Sequence, residues 1–118
     1  MGVQYASPEH LARHASAPVA VCKLLFAVAN DDWDVISLVR GPSMDQETVR
    51  LRRAVIWASR LRAGASYPEI GRALNRDHSS VIRLFGSSVV AWCDDLEFRG
   101  LCDRITRVAQ SAVEVVHA

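Results

Sequence analysis

The chain has 118 residues, 50% of them hydrophobic and 23% charged, and its formal net charge is +1 at pH 7. This length fits one domain with a single packed core and excludes a multidomain machine. The most apolar run, positions 17–29, is interrupted by Lys23 and is too short to span a bilayer, and the N-terminal sequence does not predict a secretion leader. We therefore expect a cytoplasmic protein that is neither secreted nor inserted into a membrane.

The N-terminal region predicts a short helix ahead of the main domain. The serine, proline and glutamate at 7–9 supply an N-cap, a first-turn proline and an early acid, so a helix is expected to run to His14. His10 lies four residues before His14, a spacing that can suit a metal, but no third ligand is near and no metal site is expected. We treat residues 1–16 as an appended arm or short helix and residues 17–118 as the domain proper.

Two helices with apolar faces are predicted next. The first opens at Ser16 and Pro18, and the second is a short helix capped by Asp32 or Asp34. The residues expected to be buried in them are Val21, Leu24, Leu25, Val28, Val35, Ile36, Leu38 and Val39. The loop that follows, 40–47, holds one arginine and two acidic residues.

A long helix then begins a strongly basic stretch. Asp45 or Ser43 caps the helix, which runs to about Arg62 before Gly64 ends it. The arginines expected on its outer side are Arg50, Arg52, Arg53 and Arg60. From position 50 to 83 the chain holds eight arginines and two acidic residues, which indicates contact with nucleic acid, although a solvated helix face is the alternative.

A short helix is predicted from Tyr67 to about Leu74. Ser66 and Glu69 have the spacing of a capping box, and Pro68 suits the first turn because its missing N–H is not needed there. The residues of its apolar stripe are Ile70, Ala73 and Leu74.

A tight turn and a second helix follow at once. Asn75 tolerates the left-handed conformation and breaks the helical period, and Asp77 is a good N-cap. The second helix should bury Val81, Leu84 and Phe85 and leave His78, Ser79, Ser80 and Arg83 polar. The two helices form a helix-turn-helix at about 67–86, the module that lays the start of its second helix against base edges in the major groove.

The C-terminal third of the chain predicts more helix. The second helix of the motif continues through Gly86 to about Asp94, and a last helix spans roughly 96–116. Its core side is expected to hold Leu101, Ile105, Val108, Ala109 and Ala112. The cysteines are odd in number and lack Cys-x-x-Cys spacing, so all of them are expected to be reduced core thiols: Cys22, Cys93 and Cys102.

The helix-turn-helix resembles a known family at specific residues. Pro68-Glu69-Ile70-Gly71 followed by Arg76-Asp77-His78-Ser79-Ser80-Val81 is similar to the signature of the C-terminal DNA-binding domain, domain IV, of the replication initiator DnaA. The usual sequence in that domain is Pro-Glu-Ile-Gly and then Arg-Asp-His-Thr-Thr-Val. The resemblance covers about 17–112 and implies a compact, multi-helix, all-α domain of the Trp-repressor-like type. The Gly-x-x-x-x-Gly-Lys-Ser/Thr motif of the DnaA ATPase motor does not occur in the chain.

The resemblance also implies roles on DNA for individual residues. It implies that the bases are read by Arg76, Asp77, His78 and Ser79. It implies that the DNA backbone is contacted by Arg52, Arg60, Tyr67, Pro68, Ser80 and Arg83. By its chemistry Arg76 can hold a phosphate or a guanine, and Asp77 can accept a hydrogen bond from the amine of cytosine, while capping is the alternative role of His78.

The loop at 40–47 departs from the family pattern. In the family an arginine of this loop enters the minor groove, whereas Met44 or a neighbour that is not basic occupies the matching place here. We therefore expect weaker binding to a DnaA box and less dependence on the base pairs read from the minor groove.

Two functions are compatible with these observations. In the first, the protein binds DnaA-box-like sites in double-stranded DNA on the nucleoid and modulates replication initiation or transcription. In the second, it is a protein-interaction module that regulates DnaA or another replication-regulatory protein, with weak or no specific DNA binding. The intact Arg-Asp-His-Ser-Ser run favours the first function, and the acidic loop favours the second. The serines and histidines have capping and DNA-reading roles, so we expect neither an enzyme nor a cofactor.

Overall fold

A computed structural model describes the backbone of residues 4–117 and the side chains of residues 4–111. This part of the chain forms seven α-helices and no strand, so the expected all-α class is confirmed. The helices are α1 (Pro8–Ala15), α2 (Val19–Val28), α3 (Trp33–Arg40), α4 (Gln46–Leu61), α5 (Tyr67–Leu74), α6 (His78–Asp94) and α7 (Leu96–His117). None of these described helices combines the length and the apolar character needed to cross a membrane.

Side chains at the N-termini explain where most of the helices begin. Each of six side chains accepts a hydrogen bond from a backbone N–H two or three residues further on: Ser7, Asp32, Asp45, Ser66, Asp77 and Asp95. Glu69 completes the predicted capping box, because its carboxylate accepts from the amide of Ser66 at 2.8 Å. The sequence offered Asp34 as an alternative cap for α3 and Ser43 as an alternative cap for α4. Neither residue caps its helix.

The core is built around α4, which packs against α2, α3, α6 and α7. Its residues 54–58 are all buried. The indole rings of Trp57 and Trp92 stack with 3.9 Å between their centroids and join α4 to α6. The guanidinium of Arg62 lies over the same pair, 4.8 Å from the centroid of the Trp57 ring. Stacked aromatic rings and a cation on their face add to the energy of burial alone.

The short helix α1 packs against α2 and α5. Leu11 has no exposed surface and belongs to the common core. At the C-terminus of α1, the carbonyl oxygen of Ser16 accepts a hydrogen bond from Nε of Arg72 at 2.7 Å, which joins α1 to α5. The short helix expected within residues 1–16 is therefore present, while the division between arm and domain stays a prediction.

Three residues expected in the core lie at the surface, and those predictions are wrong. Leu38 is 49% exposed and Val108 is 47% exposed, and Cys93 is also exposed. The short α3 reaches the core with Ile36 and Val39, and α7 is buried along a stripe of Phe98, Cys102 and Ile105 that leaves Val108 to one side. Ala112 lies outside the described side chains.

The other two cysteines fit the prediction. Cys22 and Cys102 are fully buried free thiols. Burial raises the pKa of Cys22 to about 11 and that of Cys102 to about 12, so both stay protonated at neutral pH.

Candidate nucleic-acid interface

The segment between α5 and α6 is a tight turn held by its own backbone. Asn75 ends α5 in the left-handed region, with φ 57° and ψ 45°. The amide of Arg76 then donates to the carbonyl oxygen of Gly71 at 2.8 Å. Asp77 caps α6 by accepting from the amide of Ser80 at 3.0 Å. The short helix α5, the turn and the start of α6 thus lie where the sequence predicted them.

Gly71 is the residue that lets the turn close. A Cβ atom built at this position would lie 2.5 Å from the carbonyl oxygen of Arg76 and 3.6 Å from Cγ2 of Val81. Real Cβ atoms do not approach backbone oxygens so closely, so any larger residue would displace the turn. The glycine of the Pro-Glu-Ile-Gly segment therefore has a steric reason to be there.

Three of the predicted base-reading residues meet at the exposed start of α6. Asp77, His78 and Ser79 are all exposed on this first turn. The hydroxyl and the amide of Ser80 lower the pKa of Asp77, with smaller contributions from His78 and Arg83, so Asp77 is an anion at neutral pH. Its Oδ1 is occupied by the cap, and a carboxylate keeps further acceptor positions for an outside donor.

The fourth predicted base-reading residue, Arg76, is turned inward. Its guanidinium donates to the carbonyl oxygens of Gly41 at 2.6 Å, Leu74 at 3.2 Å and Val39 at 3.3 Å. The side chain is half-buried, and both of its terminal nitrogens are used by these bonds. Arg76 consequently joins the turn to the loop after α3 and does not present a free fork to a base.

The predicted backbone contacts at the start of α5 lie together. The guanidinium of Arg60 stacks on Tyr67, 4.4 Å from the ring centroid, and its Nη1 donates to the carbonyl oxygen of Ala65 at 3.1 Å. Pro68 beside them is exposed. On α6, Arg83 is exposed one turn after Ser79, whereas Ser80 is half-buried with its amide bound to the Asp77 cap.

Arg52 is not available to DNA, and its assignment to the backbone-contacting set is wrong. Only 1% of its surface is exposed. Its guanidinium donates to four carbonyl oxygens at 3.0–3.3 Å, those of Leu38 and Val39 at the end of α3 and those of Gly41 and Ser43 in the loop before α4. Burial, and then the neighbouring charge of Arg76, lower the pKa of Arg52 to about 10. The irregular apolar pattern of α4 gave no sign that this position faces inward.

The arginines next to this site follow a pattern that the sequence did not show. Several of them bind the carbonyl oxygens that a helix leaves unpaired at its C-terminus. Nε of Arg40 donates to Ala73 of α5 at 2.8 Å, and Arg72 binds the end of α1. Sequence reasoning gave Arg40 and Arg72 no role at the site. Each lies in the last turn of its own helix but binds the C-terminus of another helix, so no local pattern could have found these partners.

The loop between α3 and α4 carries an exposed methionine. Met44 is 74% exposed. Asp45 is engaged as the cap of α4, since it accepts from the hydroxyl of Thr48 at 2.6 Å and from its amide at 3.1 Å. These bonds, with a further one from Ser43, lower the pKa of Asp45 to about 2. One of the two acidic side chains of this loop, Asp45, is thus hydrogen-bonded to the first turn of α4.

The chain matches no protein-family model, no curated protein and no solved structure in the comparisons made. The site is a capped helix start whose polar side chains are exposed, with the exposed Arg83 one turn further along the same helix.

Proposed function

We propose that the protein binds double-stranded DNA at DnaA-box-like sites and modulates replication initiation or transcription on the nucleoid, without ATPase or other catalytic activity. The observation that carries this proposal is the exposed first turn of α6, where Asp77, His78 and Ser79 stand together on a capped and sterically fixed helix start. A helix presented in this way has the dimensions and the donors needed to read base edges in the major groove.

The arrangement of cations supports the same proposal. Arg83 is exposed on α6 one turn after Ser79, and Arg60 is fixed against Tyr67, whose ring contacts Phe85 further along α6. Such residues set the register of a helix on DNA without reading sequence. With Arg52 buried and Arg76 bound to carbonyls, the number of phosphate contacts is smaller than the count of arginines suggested, and a moderate affinity is expected.

The alternative is a protein-interaction module that binds DnaA or another replication-regulatory protein. The observation that favours it is the outer face of α6 beyond its first turn, where Ile82 is 46%, Val89 37% and Val90 60% exposed. Exposed apolar residues in a row are typical of a protein contact. Val89 and Val90 lie about three turns beyond His78, so variants at these two positions test the alternative apart from the first turn of α6.

A gel shift with a DnaA-box duplex and a scrambled duplex tests the proposal. His78→Ala should lose roughly 1–3 kcal/mol of discrimination between the two duplexes and change binding to the scrambled one little, since a base contact has been removed. His10→Ala, which replaces an exposed histidine on α1, is the matched control and should leave discrimination intact. Equal binding of both duplexes by the unmodified protein would reject sequence-specific recognition and favour the interaction module.

A further inference from the structure

Basic side chains from three helices surround a cleft beside the turn of the helix-turn-helix. The cleft has a volume of about 480 Å³, and its polar lining is His14 of α1, Arg40 of α3, Arg72 of α5 and, in the turn, Asn75, Arg76 and Asp77. We call it the turn cleft. None of the roles that the DnaA resemblance implies uses His14, Arg40 or Arg72.

Two arginines of the turn cleft are fixed in place through a single nitrogen. Arg40 is bound through Nε to the carbonyl oxygen of Ala73, and Arg72 is bound through Nε to that of Ser16. Among residues 4–111 the terminal amino groups of both side chains have no hydrogen-bond partner. A guanidinium held in this way offers its amino groups in a fixed orientation, which suits the oxygens of a phosphate.

The turn cleft also has an excess of positive charge. Arg40, Arg72 and Arg76 share the lining of the cleft with one carboxylate, that of Asp77, which is used to cap α6. The charge of Arg72 also lowers the pKa of Glu69, which lies outside the lining, so two carboxylates stand against three arginines. None of these arginines belongs to an ion pair in the described part of the chain. The partial charges of the helix C-termini offset some of the remaining excess, yet like charges placed close together repel one another. An anion in the cleft would relieve that repulsion.

We propose that the turn cleft binds a phosphate group, with Arg40 and Arg72 as its principal donors. The position of the cleft favours the DNA backbone as the source, because Asp77 lines the cleft and directly precedes His78 on the helix that reads the bases. This choice of source rests on the proposed function, whereas the phosphate chemistry does not. Through this contact α1 contributes to phosphate binding, because the carbonyl oxygen of Ser16 at its C-terminus fixes the side chain of Arg72.

The first test uses DnaA-box duplexes in which single phosphates are replaced by uncharged methylphosphonates. For the unmodified protein, affinity should fall about tenfold at one or two phosphates flanking the box, the loss expected for a charge-assisted contact. Arg72→Gln should bind more weakly and be insensitive at those same phosphates, and its salt dependence of log K should be shallower by about 0.9. Arg107→Gln, an exposed arginine of α7, is the charge-matched control and should behave like the unmodified protein.

The second test needs no DNA. Inorganic pyrophosphate is titrated into the protein, and the backbone amide signals of residues 71–77 are followed by NMR. These signals should shift in the unmodified protein and in Arg107→Gln but not in Arg72→Gln. Arg72→Lys, which keeps the charge and loses the fork, should give a weaker response, and circular dichroism checks that each variant is folded.

The two tests separate the possible sources of the phosphate. Methylphosphonate effects that vanish in Arg72→Gln identify the DNA backbone. Pyrophosphate shifts without such effects keep the phosphate site and assign it to a free phosphate compound. No response in either test overturns the proposal, and because the methylphosphonate scan on the unmodified protein needs no variant, this result is reached even if Arg72→Gln fails to fold. Failure to discriminate a DnaA box from a scrambled duplex would overturn only the proposed function.

Discussion

Arginine side chains near the helix-turn-helix have two different tasks. Arg52 lies inside the fold, where its guanidinium satisfies carbonyl oxygens of the end of α3 and of the loop before α4, whereas Arg83 extends from α6 into solvent. A buried guanidinium is tolerated only where its N–H groups find acceptors, and carbonyl oxygens left by a loop need donors in turn. Arg52 and its loop therefore depend on each other, and the effect of Arg52 on any ligand passes through folding.

We expect Arg52→Ala to lower the free energy of unfolding by about 3 kcal/mol, because it leaves buried carbonyl oxygens without donors and removes packed methylene groups. Arg52→Met, which keeps most of the methylene stem, should lose less. Urea denaturation measures both, with Arg107→Ala as a surface control that should stay within about 0.5 kcal/mol of the unmodified protein. A small loss for Arg52→Ala would mean that water replaces the guanidinium at this loop.

Met44 allows a gain-of-function test at the other side of the motif. Met44→Arg should raise affinity for a DnaA box and make the salt dependence of log K steeper by about 0.9, since a cation is added on an exposed loop without disturbing the Asp45 cap. It should also increase sensitivity to the base pairs read from the minor groove. Binding to a panel of single-base variants of the box measures this, with Met44→Gln as the neutral control. A steeper salt dependence without new base sensitivity would show that the added arginine contacts phosphate alone.

At the scale of elements, helix boundaries could be predicted from the sequence because their causes are local. Ser66 and Glu69 satisfy each other's backbone within one turn, and Asn75 and Asp77 end one helix and begin the next. The carbonyl partners of Arg52 could not be predicted in the same way. They lie on α3 and the loop after it, and only the packing of α3 against α4 brings them to the Arg52 side chain.

The two glycines of the helix-turn-helix give a matched pair of variants. Gly71→Ala should lower the free energy of unfolding by about 1–3 kcal/mol and reduce DNA binding, because the added Cβ meets the carbonyl oxygen of Arg76 at 2.5 Å. Gly86→Ala should raise the free energy of unfolding by up to about 1 kcal/mol, since a Cβ at this position of α6 has nothing within 4 Å and alanine favours helix. Thermal and urea unfolding of both variants check the difference in sign. Equal effects of the two substitutions would contradict the close approach at the turn.

At the scale of the whole molecule, arginine hydrogen bonds and an aromatic stack connect elements that are distant in sequence. Arg72 joins α5 to α1, Arg76 joins the turn to the loop after α3, and the Trp57–Trp92 stack joins α4 to α6. The exposed tip at His78 thus rests on contacts from most of the chain. Composition and periodicity predict that a helical core forms, but these cross-links depend on the way that the helices pack, which no local pattern encodes.

Acid should unfold this protein through the carboxylates at its helix starts. Hydrogen bonds lower the pKa of Asp45 from its ordinary value of 3.8 to about 2 and also lower the pKa values of Glu69 and Asp77. A carboxyl group with a depressed pKa in the folded state adds stability above its unfolded pKa and loses it as pH falls towards the folded value. The melting temperature should therefore be steady above about pH 5 and fall between about pH 4.5 and pH 2.

The Asp45→Asn variant isolates one of these contributions. It should melt at a lower temperature than the unmodified protein at pH 7, because the amide is a weaker acceptor for Thr48, and the difference should shrink as pH approaches about 2, where the unmodified Asp45 also loses its charge. Asp94→Asn removes an exposed charge at the end of α6 that accepts no capping hydrogen bond in the described part of the chain, and is the charge-matched control. Melting followed by circular dichroism from pH 7 to pH 2 decides the matter. If the gap between Asp45→Asn and the unmodified protein stayed constant over this range, the cap of α4 would not be stabilised by the charge of Asp45.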